Sequence, residues 1–145
     1  MTFVEAKQRL KELFKLPEHY ANNEVISKFK LDDRYLKLGF KLENYQVPAA
    51  WMLSSYRDVL YVDEPGMGKT PVTIAAMSDM YANGRRKFLV VALASILGQW
   101  KDSFKKFSTF DVSFVISTKE KRYSTYREFY SGETDVLLVS YNTLI

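Results

Sequence analysis

The feature that most constrains this chain is the stretch from 59 to 70, where four apolar residues lead into a glycine-containing turn and then into Lys69-Thr70. The apolar run predicts a buried strand over 59–62, and the residues after the turn have helical periodicity. A glycine turn between a strand and a helix is typical of a phosphate-binding loop, because successive backbone N–H groups and the positive helix end surround the phosphates. Gly66 and Gly68 would let the backbone approach a phosphate without an intervening Cβ.

The loop residues carry specific expectations. We predict that Lys69 reaches the terminal phosphates as a point charge and that the Thr70 hydroxyl binds Mg²⁺, which makes these two the candidate catalytic residues. The first glycine usual in this motif is absent, since Asp63 stands in its place, and an incidental glycine-rich turn is the competing interpretation. The predicted phosphate site comprises Asp63, Glu64, Pro65, Gly66, Met67, Gly68, Lys69 and Thr70.

Composition sets the class of protein. The 145 residues are 47% hydrophobic, carry a formal net charge of +4 and contain no cysteine, which fits one domain with a single core and excludes disulfides and thiolate metal sites. His19 is the only histidine, and no acidic cluster surrounds it. No apolar run reaches the ~18 residues of a membrane span, and the N-terminus has no signal-peptide core. We therefore expect a soluble intracellular protein of the cytoplasm or nucleus, with no membrane partner.

Charge is unevenly distributed. Lys and Arg outnumber acidic residues between Arg85 and Arg127. Such an excess is compatible with an anionic partner and nearly as compatible with a solvated helix face.

Strands and helices alternate along most of the sequence. Helices are predicted over 3–16, 24–31, 43–55, 70–82, 96–107 and 119–130, and strands over 59–62, 88–93, 112–116 and 135–139. Residues 32–43 fit an alternating strand or a turn-rich linker. The aromatic stripe of the last helix is assigned to the core; it consists of Tyr123, Tyr126, Phe129 and Tyr130. Strands apolar on both faces and alternating with helices predict an α/β fold with a parallel sheet, and ligands at the carboxyl ends of its strands.

Four ordered motifs resemble the first lobe of Swi/Snf-type ATPases, which belong to superfamily 2 of helicases and translocases. They are Leu42-Glu43-Asn44-Tyr45-Gln46 ahead of Ala50-Trp51-Met52-Leu53, the segment Asp63 to Thr70, the segment Leu89 to Trp100 and the segment Val136 to Leu144. The resemblance implies a partial RecA-like P-loop NTPase lobe over 40–145, preceded by a short helical accessory segment over 1–39.

The resemblance also implies cofactors, partners and residue roles. ATP and Mg²⁺ are the expected cofactors, with Tyr45 and Gln46 at the base and Gln46 reading the adenine edge through its donor and acceptor. For Gln46 the alternative is an ordinary helix surface residue, and for Trp100 a core anchor is favoured over base stacking. A nucleic-acid strand, by preference that of double-stranded DNA, is expected to contact Ser95, Gln99, Trp100, Lys101, Ser140 and Tyr141, with hydroxyl side chains positioning its phosphates.

The chain departs from the family pattern at Pro65, where Met is usual, and at Leu93, where proline is common. The second acidic motif and the second lobe, with its arginine finger, are expected after Ile145, so that the 145 residues would bind nucleotide without hydrolysing it. The leading hypothesis is an ATP-binding N-terminal fragment of a DNA-dependent ATPase or translocase. The alternatives are a nucleotide kinase, which Tyr45-Gln46 and Gln99-Trp100 disfavour, and a non-catalytic binding module that kept the fold.

Overall fold

The computed structural model describes residues 30–115 and 119–144, with the backbone alone at 119 and 120. Its elements in chain order are α1 (Gln46–Ser55), α2 (Lys69–Ala82), β1 (Phe88–Ala92), a 3₁₀ turn (Ala94–Ile96), α3 (Leu97–Phe107), β2 (Val112–Phe114), α4 (Lys119–Ser131), β3 (Val136–Ser140) and α5 (Tyr141–Leu144). The helices predicted over 3–16 and 24–31 lie outside the described residues, apart from the last two positions of the second, and so does His19.

The three strands form one parallel sheet in the order β1-β3-β2. In its register Phe88 pairs with Val136 and Ala92 pairs with Ser140, so the carboxyl ends of β1 and β3 lie side by side. Every residue of β3 is buried, as expected for a central parallel strand. One face packs on α2 and α3, and the other packs on α4. The predicted α/β architecture, with helices on both faces of a parallel sheet, is confirmed.

Helix α2 lies between two hydrophobic clusters. Ile74 and Met77 pack in the cluster that contains β1 and β3, whereas Val72 and Ala75 pack in a second cluster with Ala50 of α1. A helix with apolar partners on two sides needs apolar residues around most of its circumference, which explains why the α2 sequence has little amphipathic character.

Residues 32–43 form the turn-rich linker rather than a strand. The linker makes one isolated antiparallel bridge, between Leu36 and Ser108. The backbone N–H of Lys37 donates to the carbonyl of Phe107 at 2.9 Å. On the other side, the fully buried Ser78 hydroxyl of α2 donates to the Asp32 carbonyl at 2.8 Å. The linker therefore ties α2 to the C-terminal end of α3.

The predicted strand over 59–62 is wrong. These residues form no strand, and the Leu60 and Val62 side chains are 80% and 76% exposed. Apolar character alone predicted burial, but a strand also needs a neighbour for its N–H and C=O groups. Among the described residues, the sheet contains β1, β2 and β3 only, so residues 59–63, the extended segment, pair with no described strand.

The core assignment of the α4 aromatic stripe is half correct. Tyr126 and Phe129 pack on the face of the sheet that carries Leu137, but Tyr123 and Tyr130 are 66% and 77% exposed. At about 100° per residue, the exposed pair lies roughly 70 to 90° from the middle of the face formed by the packed pair. Helical spacing thus placed four aromatics on adjoining strips of the helix, and only one strip meets the sheet.

We predict that replacing a leucine of the sheet by alanine lowers the free energy of unfolding more at a buried position than at an exposed one. Leu138 is fully buried in β3, so Leu138→Ala should lower the free energy of unfolding by about 2 to 5 kcal/mol. Leu89→Ala in β1 is the matched control, and it should cost about 1 kcal/mol because this side chain is 50% exposed. Urea unfolding followed by circular dichroism measures both values. Equal losses would contradict the assignment of the two faces.

Candidate functional site

The loop from 63 to 68 adopts the conformation that its glycines permit. Gly66 and Gly68 have φ of 88° and 78°, in the left-handed region that side chains with a Cβ rarely occupy. Gly68 is the N-cap of α2, and its carbonyl accepts the first helical hydrogen bond, from the N–H of Val72 at 3.2 Å. The N–H of Met67 donates to the Glu64 carbonyl, which closes a turn just before the helix. The chain thus reverses directly in front of the positive end of α2.

Lys69 is the first residue of α2, and its side chain folds back under the loop. The ammonium donates to the carbonyl oxygens of Asp63 at 2.7 Å and Glu64 at 2.8 Å. Two neutral carbonyls satisfy donors but leave the positive charge uncompensated. The cation is therefore held next to the loop backbone, where an anion would meet both the charge and the helix end.

Gln46, the first residue of α1, is buried and contacts the loop. Its Oε1 accepts from the N–H of Glu43 at 3.0 Å, and its Nε2 donates to the carbonyl of Met67 at 3.0 Å. A Cβ placed on Gly68 would lie 2.4 Å from Nε2 of Gln46. The alternative of an ordinary surface position does not hold, because Gln46 is only 8% exposed.

Tyr61 is a site residue that the sequence did not single out. Its hydroxyl donates to Oδ2 of Asp63 at 2.8 Å. Burial, together with this hydrogen bond to a carboxylate, raises the pKa of Tyr61 above its ordinary value. Alternation in the extended segment was the available signal, since Val59, Tyr61 and Asp63 face inward while Leu60 and Val62 face solvent.

A cleft of about 240 Å³ separates α1 from the extended segment. Tyr45 and Asp63 line it, together with apolar side chains of both elements. The ring of Tyr45 therefore borders an apolar space that begins next to the loop.

Three of the six residues expected to contact a nucleic-acid strand form two groups at one edge of the sheet. Ser95 lies in the 3₁₀ turn just after β1, and Ser140 with Tyr141 lies at the end of the neighbouring β3. Because Ala92 and Ser140 are register partners, these groups share the carboxyl edge of the sheet. Ser95 and Tyr141 are exposed, whereas the hydroxyl of Ser140 is buried and hydrogen-bonded to that of Thr143 at 2.7 Å.

The other predicted contacts lie on different sides of α3. Gln99 is exposed in its first turns, near the same edge. The Trp100 ring packs against the core and contacts the Phe104 ring in a tilted arrangement, with the ring centroids 6.0 Å apart, as expected of a core anchor. Lys101 instead lines a groove with Lys105, on the flank of the helix.

The loop from 63 to 68, the candidate phosphate site, belongs to the same edge of the sheet. Helix α2 packs along the sheet, and only the five residues 83–87 separate its end from the start of β1. Because so short a connection must reverse the chain, the helix runs in the opposite direction to the strand. Its N-terminus, with Gly68 and Lys69, therefore lies toward the carboxyl ends of the strands. The loop and the exposed residues after β1 and β3 flank one edge of the domain, which is where ligands of open α/β sheets bind.

Comparisons with known proteins agree with this arrangement. The family model of the SNF2-related domain matches residues 45–145, well over half of the chain. This chain belongs to the SNF2-related family. The match begins at Tyr45, next to Gln46, and contains the loop from 63 to 68 and every described strand.

The chain covers only a small part of the length of each of these relatives. The chain is 31% identical over 116 residues to transcription regulatory protein SNF2 of Saccharomyces cerevisiae, which covers 74% of the chain and 7% of that protein. It is 30% identical over 115 residues to nuclear protein STH1/NPS1 of the same yeast, covering 74% of the chain and 8% of that protein. It is 29% identical over 109 residues to ATP-dependent helicase fft1 of Schizosaccharomyces pombe, covering 71% of the chain and 12% of that protein.

A solved structure shows the same fold. It is the Sulfolobus solfataricus SWI2/SNF2 ATPase core in complex with dsDNA, which the SNF2-related domain matches with a TM-score of 0.64 and 24% identity. The match covers 80% of this chain and 24% of that one. The RecA-like identity of the lobe is thus confirmed, and the domain spans about a quarter of the core it resembles.

Membrane-spanning helices and metal-binding clusters are both absent from the described residues. No helix among residues 30–115 and 119–144 is long and apolar enough to cross a membrane. Over the same residues, no group of three or more His, Cys, Asp or Glu side chains is placed to hold a metal ion by itself.

We predict that alanine is more costly at Gly68 than at Gly66. Both substitutions force a Cβ into the left-handed region, at about 1 to 2 kcal/mol each. Only at Gly68 does the new Cβ also meet Nε2 of Gln46, whereas at Gly66 nothing lies within 4 Å. Unfolding free energies of Gly68→Ala and Gly66→Ala measure the difference.

A double-mutant cycle tests the cause. Gln46→Ala removes the colliding amide, so Gly68→Ala should be less destabilising in that background than in the wild type. Additive losses would show that Gln46 does not restrict position 68.

Proposed function

We propose that the loop from 63 to 70 binds the phosphates of ATP with Mg²⁺, and that the chain is part of a DNA-dependent ATPase or translocase. One observation carries the proposal: Gly66 and Gly68 in left-handed conformations turn the backbone in front of α2, beside the charge of Lys69, which forms no ion pair with a described acid. Backbone N–H groups, a helix end and a cation then converge on one anion position. Membership of the SNF2-related family supports nucleotide use.

Lys69 would exchange partners when nucleotide binds. Its ammonium now donates to two carbonyls of the loop, and a phosphate oxygen would replace at least one of them as a stronger, charged acceptor. Thr70 follows in the first turn of α2, and no described residue engages its hydroxyl. We assign the Mg²⁺ contact to this hydroxyl, a hard oxygen ligand that completes its coordination with waters and phosphate.

Gln46 would serve the loop and the base together. Its Nε2 carries a second N–H, which now makes a long hydrogen bond of 3.5 Å to the Tyr45 hydroxyl and which adenine would take over, and its Oε1 carries a second lone pair beyond the one used by Glu43. A donor and an acceptor side by side match the edge of adenine. Tyr45 borders the apolar cleft next to Asp63 and offers a ring to the base.

We predict that Lys69→Ala weakens ATP binding about tenfold or more, since it removes a charge-assisted contact. Lys106→Ala, an exposed lysine on α3, is the control and should leave the affinity unchanged. Isothermal titration of ATP·Mg²⁺ into the three proteins measures this. Equal affinity of wild type and Lys69→Ala would remove the phosphate site from this loop.

Titration of Gln46→Ala with three ligands separates its two roles. Loss of adenine reading lowers the affinity for ATP but not for GTP or pyrophosphate. Loss of loop support lowers all three, because the phosphate cradle itself is disturbed. We expect ATP to lose most and the other two to lose some, and unchanged binding of all three would remove Gln46 from the site.

A nucleic-acid strand is the partner we propose for the exposed edge with Ser95, Gln99 and Tyr141. The short side chain of Ser95 and the start of α3 could hold phosphate oxygens without reading bases. Ser140, which is buried and bonded to Thr143, would shape this edge rather than contact the strand. Double-stranded DNA is the preferred ligand, since the structurally similar SWI2/SNF2 core is in complex with dsDNA. The accessory role of residues 1–39 and an intracellular location belong to the same proposal.

We predict that the 145-residue chain binds ATP without hydrolysing it. ATP hydrolysis in such lobes needs a carboxylate that faces the loop from the end of a different strand. The described strands β1, β2 and β3 are followed by Leu93, Val115 and Tyr141, and none of these is acidic. Asp63 and Glu64 open the loop itself and hold Lys69 through their carbonyls.

Phosphate release with and without duplex DNA measures turnover. The expected rate equals that of Lys69→Ala in both conditions. DNA-stimulated release that Lys69→Ala abolishes would contradict this prediction and point to an acid elsewhere in the chain.

A further inference from the structure

A groove of about 550 Å³ lies on the flank of α3, away from the phosphate loop. Its lining combines the linker, α3 and the start of β2, and comprises Lys37, Lys101, Asp102, Lys105, Ser108, Thr109, Phe110 and Val112. Val112 is the first residue of β2, so the groove extends to the amino edge of the sheet. The residues after β1 and β3, proposed above to contact a strand, lie at the opposite edge.

The lining of the groove carries a net positive charge. Lys37, Lys101 and Lys105 line it, with Asp102 as the acid of the lining. None of these lysines forms an ion pair with a described acid. The ion pairs among the described residues lie outside the groove and join Arg34 to Asp32 and Arg57 to Asp58. Three ammonium groups around one space attract an anion more strongly than a single surface lysine does.

The backbone positions of the three lysines are fixed relative to one another. Lys101 and Lys105 are one helical turn apart on the same side of α3, with a rise of about 6 Å between them. The N–H of Lys37 donates to the carbonyl of Phe107 at 2.9 Å, which fixes the linker against the end of the same helix. Successive phosphates of one DNA strand are about 3.4 Å apart along the axis, so the two α3 lysines span about two phosphate steps.

We propose that this groove is a second contact for the backbone of a nucleic acid, separate from the edge with Ser95. The inference rests on the proposed function. Protein interfaces are depleted in lysine at their centre, so a groove lined by lysines fits phosphates better than a protein partner. The hydroxyls of Ser108 and Thr109 already donate to backbone carbonyls, which leaves charge, without base reading, as the means of binding.

The two contacts would be connected through α3. Gln99 lies near its start and Lys105 near its end, on a helix about 16 Å long. A duplex lying along this helix would reach the exposed edge at one end and the lysine groove at the other. The additional phosphate contacts would raise the affinity equally for all sequences.

Neighbouring lysines of α3 provide a matched test. Lys105 lines the groove, whereas the exposed Lys106 lies over the ring of Phe107 and outside the groove. Lys105→Gln and Lys106→Gln remove the same charge from the same helix turn. Binding of the full chain to a fluorescent DNA duplex is measured by anisotropy over a range of salt concentrations, with melting temperatures as a check on folding.

We expect Lys105→Gln to reduce the slope of log K against log salt by about 0.9, and the Lys101→Gln, Lys105→Gln double variant by about twice that. Lys106→Gln should leave the slope unchanged. Equal effects of Lys105→Gln and Lys106→Gln would overturn the groove, since net charge alone would then explain them, while the proposed DNA binding would stand.

Two further outcomes would also overturn the inference. If the wild type binds no duplex at low salt, the nucleic-acid part of the proposed function fails together with the groove, whereas ATP titration still tests the loop independently. If polyglutamate of equal charge displaces the duplex as well as unlabelled DNA does, and Lys105→Gln weakens both ligands alike, the groove binds acidic chains in general and the nucleic-acid assignment is wrong.

Discussion

The contact between the Gln46 amide and the backbone at Gly68 determines how helix α1 is positioned against the loop in front of α2. The amide fills the space where a side chain at 68 would begin, 2.4 Å from the ideal Cβ position, and it donates to the carbonyl of Met67. Only glycine satisfies both this approach and the positive φ. Helix α1 and the loop in front of α2 are thereby joined through one buried side chain, so a disturbance of either reaches the other.

Helix α2 carries this constraint into the rest of the domain. Val72 and Ala75 pack toward α1, while Ile74 and Met77 pack toward the sheet. Because such interiors are closely packed, α2 cannot shift without disturbing both clusters. The loop at its N-terminus is therefore set on a rigid support, as precise positioning of phosphate groups requires.

The segment before the loop is held by side chains instead of a strand ladder. Tyr61 donates to the Asp63 carboxylate, and Lys69 donates to the carbonyls of Asp63 and Glu64. The same ammonium that fixes the loop is the one proposed to bind phosphate. Nucleotide binding would thus release contacts at the start of the loop, which couples occupancy of the site to the order of the extended segment.

The sequence by itself determined the order of helices and strands between residues 43 and 140, apart from the strand expected over 59–62, together with the parallel sheet and the glycine turn in front of α2, since these depend on local periodicity and on glycine conformation. Tertiary structure decided the rest. Leu60 and Val62 are as apolar as a buried strand, yet they lie exposed because burial depends on a partner that no local pattern reveals. Similarly, the contact of Gln46 with Met67, and the groove formed by Lys37 and Lys105, join residues distant in sequence, and only packing brings such residues together.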